Sequence, residues 1–355
     1  MWGNKISKSL TYAVNTLSDE KIRIIVYLSA KNAPDGFEIV REYPFINAVG
    51  IETNASELER LARYPAVRYV TSCARVFAAE SVSRGIGPPV YVNTSLTGRG
   101  VSLAVIDTGV SPHLDFCTPI NRLFRFKDLI GGKDDFYDDN GHGTFVAGVA
   151  CGNGLTSGGK YVGVARDSKV VAVKAIGSDG EGGAFDVLDG MQWILDTRKE
   201  TGVKVCCMSF GANPTDANDP LRRGAEILVK NGISVVAASG NEGRGAIKTP
   251  ATSPDVISVG AVDENGKVAD FTSRGFVMGR RKPEIYALGV DVISVSANST
   301  YKKMSGTSVS APYIAGACCL LTEKYPSASP RRIKEMILSS ATPTPDGRLV
   351  LDLSR

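Results

Sequence analysis

The stretch Gly306-Thr307-Ser308-Val309-Ser310-Ala311-Pro312 is followed by an apolar run of mostly small residues. A serine between small residues leaves room for a substrate backbone to approach its hydroxyl group. Pro312 is tolerated in the first turn of a helix, where its missing N–H is not needed. The pattern therefore predicts a helix from about Ser308 to Lys324. Its N-terminus suits an oxygen that becomes an anion, although many such turns are only helix caps.

The chain has two histidines, and a serine nucleophile needs a general base, which is usually a histidine. His142 lies in Asn140-Gly141-His142-Gly143-Thr144, where glycines on both sides leave the ring accessible. The apolar residues that follow predict a buried helix. His113 lies in the turn Ser111-Pro112-His113-Leu114 without flanking glycines, which favours a ring bonded to nearby backbone. We therefore identify His142 as the candidate base.

Residues 101–106 form an apolar, β-branched run, and Asp107-Thr108-Gly109 follows it. Such a run predicts a buried parallel strand. Open α/β sheets place their functional sites at the C-terminal ends of strands. Taken alone, this tripeptide is usually a solvated turn. Together with Ser308 and His142, it makes Asp107 the candidate acid.

The segments 107–109, 141–144 and 306–312 resemble the three active-site signatures of the subtilisin-like serine proteases. Asp107, His142 and Ser308 also follow the chain order of subtilisin. The resemblance implies a serine endopeptidase that cuts peptide bonds through an Asp-His-Ser triad. It further implies that Asn241, in Ser239-Gly240-Asn241, donates to the oxyanion together with the Ser308 N–H.

From residue 101 onward, short apolar runs alternate with segments of helical spacing. This alternation predicts the α/β class, with a mainly parallel sheet flanked by helices. Strands are predicted at 170–175, 203–208, 233–238 and 256–262, and helices at 184–198, 220–230 and 331–339. The resemblance covers 101–341 at this level and implies a subtilisin-like fold.

The resemblance also implies two segments, 180–183 and 209–211, that pair with an extended substrate on either side. The residues expected to bind substrate are Gly180, Gly182, Ser209, Phe210, Gly211, Ala238, Ser239 and Gly240. Phe210 and residues 237–239 would line an apolar pocket for P1, the substrate residue on the N-terminal side of the cut bond. Glu242 at its rim either admits lysine and arginine or is an ordinary surface glutamate, so the P1 preference stays open.

Residues 21–72 form a separate small unit before the protease-like part. Strands predicted at 21–28, 45–52 and 67–70 and a helix at 56–63 indicate a ferredoxin-like α+β domain with a β-α-β-β-α-β-like pattern. The unit resembles the propeptide of subtilases in its position before the protease and in the sequence of residues 61–70. That propeptide acts as a folding chaperone and inhibitor. An unrelated α+β domain is the alternative.

Residues 74–100 read as a linker, and the family cuts itself in this region. We place the junction between about Ala74 and Val82, with Ala78-Ala79-Glu80 favoured. This divides the chain into a propeptide-like inhibitor domain with its linker at 1–79 and a catalytic domain at 80–355.

Composition excludes some function classes. The net charge of +4 is mild and dispersed, which argues against nucleic-acid binding. No run is long enough to span a bilayer, and residues 1–17 lack the apolar segment of a signal peptide. We therefore expect a cytoplasmic protein, or a secreted one whose leader has been removed. The seven cysteines are odd in number and lie mostly in apolar runs, which is typical of buried thiols in a reducing compartment.

No cofactor is expected for the chemistry. Calcium is the usual structural ion of the family, and the loop 151–160 stands where many members have a calcium loop. Here the loop contains Lys160 and no carboxylate, and calcium prefers six to eight oxygen ligands including carboxylates. Asp115 and Asp263 match positions that are ligands in some members. The acidic run 134–139 either binds a cation or is a solvated loop, and the solvated loop is favoured.

Two other function classes are compatible with parts of the sequence. A pseudoprotease would keep the fold to hold a partner, but the intact candidate triad and Asn241 count against it. A serine esterase would need a Gly-x-Ser-x-Gly elbow, whereas Ser310 stands at its last position and the triad order differs. The expected partners are protein or peptide substrates and the chain's own N-terminal domain.

Overall fold

The computed structural model describes residues 2–11, 20–29, 34–78, 81–82, 94–245 and 247–353. The strands, in chain order, are β1 (Lys21–Leu28), β2 (Ile39–Tyr43), β3 (Ala48–Asn54), β4 (Val67–Ser72), β5 (Arg75–Ala78), β6 (Ser81–Val82), β7 (Ser102–Asp107), β8 (Leu123–Asp128), β9 (Lys169–Lys174), β10 (Glu181–Gly183), β11 (Val203–Met208), β12 (Phe210–Gly211), β13 (Ser234–Ala238), β14 (Ile257–Val262), β15 (Gly275–Val277), β16 (Arg280–Lys282), β17 (Ile285–Leu288), β18 (Val292–Val295), β19 (Tyr301–Ser305), β20 (Thr342–Pro343) and β21 (Leu349–Val350). The α-helices that lie wholly within these described residues are α1 (Leu58–Ala62), α2 (Leu114–Cys117), α3 (His142–Cys151), α4 (Ala184–Thr201), α5 (Pro220–Lys230), α6 (Thr307–Lys324) and α7 (Pro330–Ser339).

The N-terminal domain is an antiparallel sheet of four strands in the order β2-β3-β1-β4. One face carries α1, and residues 2–11 pack on the same cluster, where Ile6 and Leu10 are buried with Leu58 and Leu61. This differs from the predicted β-α-β-β-α-β pattern, because residues 29 and 34–38, the described part of the β1–β2 connection, are not helical. Strand β2 was missed, since its residues are half-buried or exposed up to Tyr43 and carry little apolar pattern.

The opposite face of this small sheet packs on the C-terminal domain. Tyr27, Tyr43 and Ile46 are buried in one apolar cluster with residues of α4 and α5. The Tyr43 hydroxyl donates to the carbonyl of Phe185 (3.3 Å), and the Tyr27 hydroxyl donates to the carbonyl of Asn218 (2.9 Å). Both the apolar and the polar atoms of the tyrosines therefore have partners across the interface.

The C-terminal domain is built on a nine-stranded sheet in the order β20-β21-β17-β14-β13-β11-β7-β9-β8. All its neighbouring strands are parallel except β20 and β21. Every residue of β7, β13 and β14 is buried, because helices cover both faces. Helices α3, α6 and α7 pack on one face, and α4 and α5 pack on the other. This is the α/β architecture that the alternating pattern predicts.

Helix boundaries follow local signals. The Asp219 carboxylate accepts a hydrogen bond from the Arg222 N–H and Pro220 opens α5, while the Ser329 hydroxyl and Pro330 begin α7 in the same way. Pro312 departs from the prediction, because α6 begins at Thr307 and the proline is its sixth residue, beyond the first turn.

The predicted linker at 74–100 contains two strands. Strand β5 is the middle strand of a three-stranded sheet between β10 and β12, and β6 extends the β18–β19 hairpin by pairing with β19. Residues 75–78 and 81–82 are thus paired with strands of the C-terminal domain. None of the helices in the described part of the chain combines the length and the apolar character needed to cross a membrane.

Candidate active site

Asp107 is the last residue of β7 and is completely buried. Its Oδ1 accepts the N–H of Thr108 (2.8 Å) and lies 2.6 Å from Nδ1 of His142. A carboxylate can only accept, so Nδ1 carries the proton of this bond. The ring is therefore held in one orientation, with Nε2 turned away from Asp107.

His142 opens α3, directly after Gly141, whose φ of +93° is left-handed and suits glycine. A side chain at the following residue, Gly143, would place its Cβ 2.1 Å from the carbonyl oxygen of Gly109 and 3.0 Å from Cβ of Asp107. The glycines that flank His142 thus allow the helix to start close enough to β7 for the 2.6 Å bond.

Asp138 joins the acid and the base segments. Its buried carboxylate accepts from the Thr108 hydroxyl (2.9 Å), the Gly141 N–H (2.7 Å), and both the N–H (2.8 Å) and the hydroxyl (2.6 Å) of Thr144. The Thr108 hydroxyl oxygen accepts in turn from the Gly143 N–H (2.9 Å). From the sequence alone, Asp138 is expected to lie in a solvated acidic loop. Its position four residues before the helical histidine was the available signal.

Lys174 binds both the segment after Asp107 and the acidic run 134–139. It is the last residue of β9, opposite Asp107 in the sheet, and its buried ammonium donates to the carbonyls of Thr108 (2.7 Å) and Ile176 (3.1 Å). It also pairs with Asp139 (2.7 Å). Two carboxylates of the acidic run, Asp138 and Asp139, are therefore engaged by protein donors.

Ser308 is the second residue of α6 and is completely buried. Pro312 cannot donate the hydrogen bond that its position would direct to the Ser308 carbonyl. The hydroxyl of Ser209 donates to that carbonyl instead, at 2.8 Å. The side chain of Ser209, predicted to bind substrate, thus supports the backbone of Ser308.

Asn241 follows β13 and lies beside the start of α6. Its Oδ1 accepts from the N–H and the hydroxyl of Thr307, each at 2.9 Å. The Thr307 hydroxyl oxygen also accepts from the Gly240 N–H (3.1 Å). With Oδ1 fixed by this network, the donor end of the amide is turned to the other side. Asn241 is therefore anchored to the residue that precedes Ser308.

Strand β5 lies in the cleft between the two predicted pairing segments. The Ala78 N–H donates to the Gly180 carbonyl (3.0 Å), and Gly182 is paired with Val76. On the other side Phe210 is paired with Ala78, and Gly211 with Phe77. Val76 is buried, whereas the side chain of Phe77 is 44% exposed, as alternation along a strand requires.

The remaining predicted substrate residues lie behind this cleft. Ala238 ends β13 and is buried, and the carbonyl of Ser239 accepts from the N–H of Lys248 (2.9 Å). Gly240 borders a cavity next to Ala78 and Asn241. Lys248 lines this cavity together with Glu242, the expected rim residue, and the apolar P1 pocket stays a prediction. Lys248 was missed, because the residues around it carry no motif that marks a pocket.

The calcium positions do not fit a cation. The Asp115 carboxylate accepts from the N–H groups of Gly154 (3.1 Å) and Thr156 (3.0 Å), and from the hydroxyls of Thr156 (2.8 Å) and Tyr301 (2.6 Å). These are donors, whereas calcium needs oxygen acceptors. Asp263 accepts from two N–H groups of its own turn. Among the residues with described coordinates, no three or more His, Cys, Asp or Glu side chains are grouped for a metal.

His113 has a structural role. It is buried, and its Nδ1 accepts the N–H of Asp115 (3.1 Å) at the start of α2, as predicted. Burial lowers the pKa of His113, because the charged ring would lose its hydration. The seven cysteines are all free thiols. Burial raises the pKa of Cys73 to about 11, so this thiol stays protonated at neutral pH.

Comparison with known proteins gives consistent results. Residues 98–352 match the model of the subtilase family (peptidase S8). Serine protease AprX of Bacillus subtilis (strain 168) is 35% identical over 274 residues, which are 68% of this chain and 61% of AprX. An alkaline protease of Alkalihalobacillus alcalophilus is 34% identical over 309 residues, which are 86% of this chain and 77% of that protein. The chain thus spans about three fifths of the length of AprX.

Solved structures show the same fold. A cold adapted subtilisin-like serine proteinase has a TM-score of 0.63 and 26% identity, and covers 73% of this chain and 90% of its own. Fervidolysin from Fervidobacterium pennivorans has a TM-score of 0.76 over 94% of this chain and 60% of its own, with 22% identity. Because fervidolysin is only 22% identical to this chain, its similarity shows the fold alone.

Proposed function

The chain belongs to the subtilase family, its residues 98–352 form a subtilisin-like serine endopeptidase domain, and we propose that the whole chain is a self-processing zymogen of such an enzyme. Its substrates are proteins or peptides, as the family implies. Asp107, His142 and Ser308 form the catalytic triad, and Asn241 is the oxyanion donor. The observation that carries this proposal is the placement of β5 as the middle strand between β10 and β12.

The proposed mechanism follows from the bonds around His142. Nδ1 is held by Asp107, so Nε2 accepts the proton of the Ser308 hydroxyl as its oxygen attacks a peptide carbonyl. Asp107 stabilises the imidazolium that forms. Asn241 and the N–H of Ser308 bind the tetrahedral oxyanion. His142 then protonates the leaving amine, and water repeats the cycle to release the acyl group.

The cut in the zymogen is proposed between Ala79 and Glu80, which lie outside the described residues. Their described neighbours, Ala78 and Ser81, are both anchored to the C-terminal part of the chain. Ala78 is hydrogen-bonded to Gly180, and Ser81 is paired with Ser305, three residues before Ser308. In the sequence, the bond between residues 79 and 80 lies midway between these two anchored residues, which supports it as the bond that is cut.

We further propose that residues 1–79 inhibit the enzyme and assist its folding. Support comes from the apolar interface with α4 and α5 and from β5, which fills the substrate groove. Tyr69 adds a hydrogen bond from its hydroxyl to the Asp216 carboxylate (2.9 Å). A tethered segment has a high effective concentration, commonly about millimolar for short linkers. Even weak intrinsic binding would then keep the groove occupied until the tether is cut.

A fluorophosphonate probe tests the catalytic part of the proposal. The purified wild-type chain should label covalently at Ser308 and hydrolyse casein, and His142→Ala should do neither. Labelling at another serine, or casein hydrolysis without labelling of Ser308, contradicts the assignment. Labelled protein that turns over esters but no peptides would instead support an esterase.

Addition of the N-terminal segment in trans tests the inhibitor proposal. Residues 80–355 should refold poorly alone, refold better with residues 1–79, and then be inhibited by them in a concentration-dependent way. A variant segment with Val76→Asp should inhibit less, because Val76 is buried in the groove. Ready folding of residues 80–355 and no change in hydrolysis on adding the segment contradict the proposal.

A further inference from the structure

The cavity of about 230 Å³ beside the cleft lies just beyond the end of β5. Ala78 and Asn241 are on its border, so it is next to the end of the cleft strand and next to the proposed oxyanion donor. If the cut lies between Ala79 and Glu80, then Ala79, the residue that follows β5, is the P1 residue. The cavity is then the pocket for the P1 side chain, an assignment that rests on the proposed function.

The stem of Lys248 runs along the cavity between two glycines. A Cβ on Gly211 would lie 2.6 Å from Cβ of Lys248, and a Cβ on Gly240 would lie 2.6 Å from Cγ of Lys248. Gly240 also has a left-handed φ of +110°. The glycines on both sides therefore make room for the lysine, and its methylene groups occupy depth that a large aromatic P1 side chain would need.

The ammonium group of Lys248 brings a positive charge into this pocket. Nζ donates to Oδ1 of Asn213 (2.6 Å) and forms an ion pair with Glu242. The two partners of the ion pair differ in exposure: the Lys248 side chain is 11% exposed and the Glu242 side chain 58%. Of the three N–H donors on Nζ, two are used by these described residues, which leaves one for a ligand within the described part of the chain.

This asymmetry determines which P1 group is favoured. The carboxylate of Glu242 can turn into solvent at small cost, because exposed ion pairs are weak. The buried ammonium cannot, and it gains a charge-assisted hydrogen bond if a substrate carboxylate approaches. A lysine or arginine at P1 would meet a like charge. We propose that Lys248 determines P1 specificity and that the enzyme prefers an acidic P1 residue, glutamate above its neutral isostere glutamine.

The proposed processing site has Ala79 at P1, which is small and neutral. A tethered segment does not need the preferred residue, because its effective concentration offsets a weak P1 contact. The preference therefore concerns substrates that arrive from solution.

Fluorogenic peptides test the inference with the self-processed enzyme. The P4–P2 residues are fixed as Val-Phe-Ala, from positions 76–78, and P1 is glutamate, glutamine, lysine or methionine. We expect kcat/KM for glutamate to exceed that for glutamine by about five- to tenfold, the difference between a charge-assisted and a neutral hydrogen bond. Lysine should be cleaved less efficiently than methionine.

Two variants test whether the Lys248–Glu242 ion pair sets the glutamate-to-glutamine ratio of kcat/KM. Lys248→Met keeps the length and removes the charge, so the glutamate-to-glutamine ratio should fall to about one. Glu242→Gln removes the competing carboxylate, so the ratio should rise by about two- to fivefold. Lys267→Met and Glu264→Gln change the same charges at exposed positions and should leave the ratio unchanged.

The outcomes separate this inference from the proposed function. A ratio at or below one in the wild type contradicts the inference, and so does a ratio that Lys248→Met does not lower although fluorophosphonate labelling shows the variant is folded. In both cases peptides are still hydrolysed, and the endopeptidase assignment stands. Failure of the wild type to hydrolyse any of the four peptides or casein contradicts the proposed function, and the inference with it.

Discussion

The catalytic domain buries two aspartate–histidine pairs, Asp107 with His142 and Asp115 with His113. In the first pair, Nδ1 of the ring is 2.6 Å from Oδ1 of the carboxylate. In the second, the corresponding distance is 3.7 Å. There, Nδ1 of His113 accepts the backbone N–H of Asp115 instead. The same two residue types are thus joined by a side-chain hydrogen bond in one pair and by a backbone cap in the other.

The difference comes from what else binds each carboxylate. Asp115 accepts from four donors of Gly154, Thr156 and Tyr301, so no strong acceptor site is left for an imidazole. Asp107 accepts only from Thr108 and His142, and its Oδ2 has no hydrogen-bond partner among the described residues. A carboxylate with capacity left can orient a base, whereas a saturated one can only hold a loop.

His142→Ala should produce the largest effect. Without the base, turnover of peptide substrates should fall by about six orders of magnitude, the loss found when subtilisin itself loses its histidine or serine. The measurement is kcat/KM with a fluorogenic peptide. His113→Ala is the matched control and should keep most of the activity. Equal loss in both variants would show that the two pairs do not differ in function.

Asp107→Asn should have the second largest effect. The amide cannot accept from Nδ1 as a carboxylate does, and it favours the wrong tautomer of His142, so kcat should fall by about four orders of magnitude. Asp115→Asn is the control and should change kcat by much less, although it should lower stability. A small effect of Asp107→Asn on kcat would remove the basis for the orienting role.

Tyr301→Phe tests the saturation of Asp115. Loss of the hydroxyl that donates at 2.6 Å should reduce the free energy of unfolding by about 1–3 kcal/mol, because the buried Asp115 carboxylate loses a hydrogen bond to a charged group. Urea denaturation measures this change. Tyr161→Phe is the control, since the Tyr161 ring packs on that of Tyr301. An unchanged free energy of unfolding in Tyr301→Phe would contradict the contribution of this hydrogen bond.

His113→Asn should produce the smallest effect, a change in the pH dependence of stability. The pKa of His113 is lowered by burial, so the folded state holds fewer protons than the unfolded state. Stability is therefore full above the ordinary histidine pKa of about 6.5 and is lost as the pH falls below it. Asparagine keeps an acceptor for the Asp115 N–H and does not titrate.

In the wild type we expect the free energy of unfolding to be lower at pH 5 than at pH 8 because of His113, and His113→Asn should remove this contribution. Chemical unfolding at the two pH values gives the difference. The activity of His113→Asn at pH 8 should remain near that of the wild type. An unchanged pH dependence in the variant would show that His113 is not held neutral by the fold.

The sequence contained most of the fold and the candidate triad, because both depend on local patterns. Buried parallel strands are continuous apolar runs, and the segments around Asp107, His142 and Ser308 each combine a reactive residue with small neighbours. Residues 74–100 read as a linker because a strand as short as β5 has too few residues to show a period. The strand exists through its pairing with β10 and β12, far away in the chain.

The contacts that the sequence did not predict are long-range and polar. Ser209 supports the Ser308 carbonyl because Pro312 removes a helical hydrogen bond, which needs both segments to be placed in space. Asp138 lay in a run of acidic residues, and only the fold separates the buried carboxylate from its exposed neighbours. The Lys248 side chain can lie along the cavity only because Gly211 and Gly240 leave room for it. These two glycines are distant from each other in sequence.

The most direct test of the account is the fate of the full-length chain with Ser308→Ala. Wild type and variant are expressed and purified in parallel, and their intact masses and N-terminal sequences are determined. We predict that the wild type is cut and that its larger fragment begins at Glu80, while Ser308→Ala stays intact with residues 1–79 attached. Processing of purified Ser308→Ala at the same bond would contradict the assignment of Ser308 as the nucleophile that cuts its own chain.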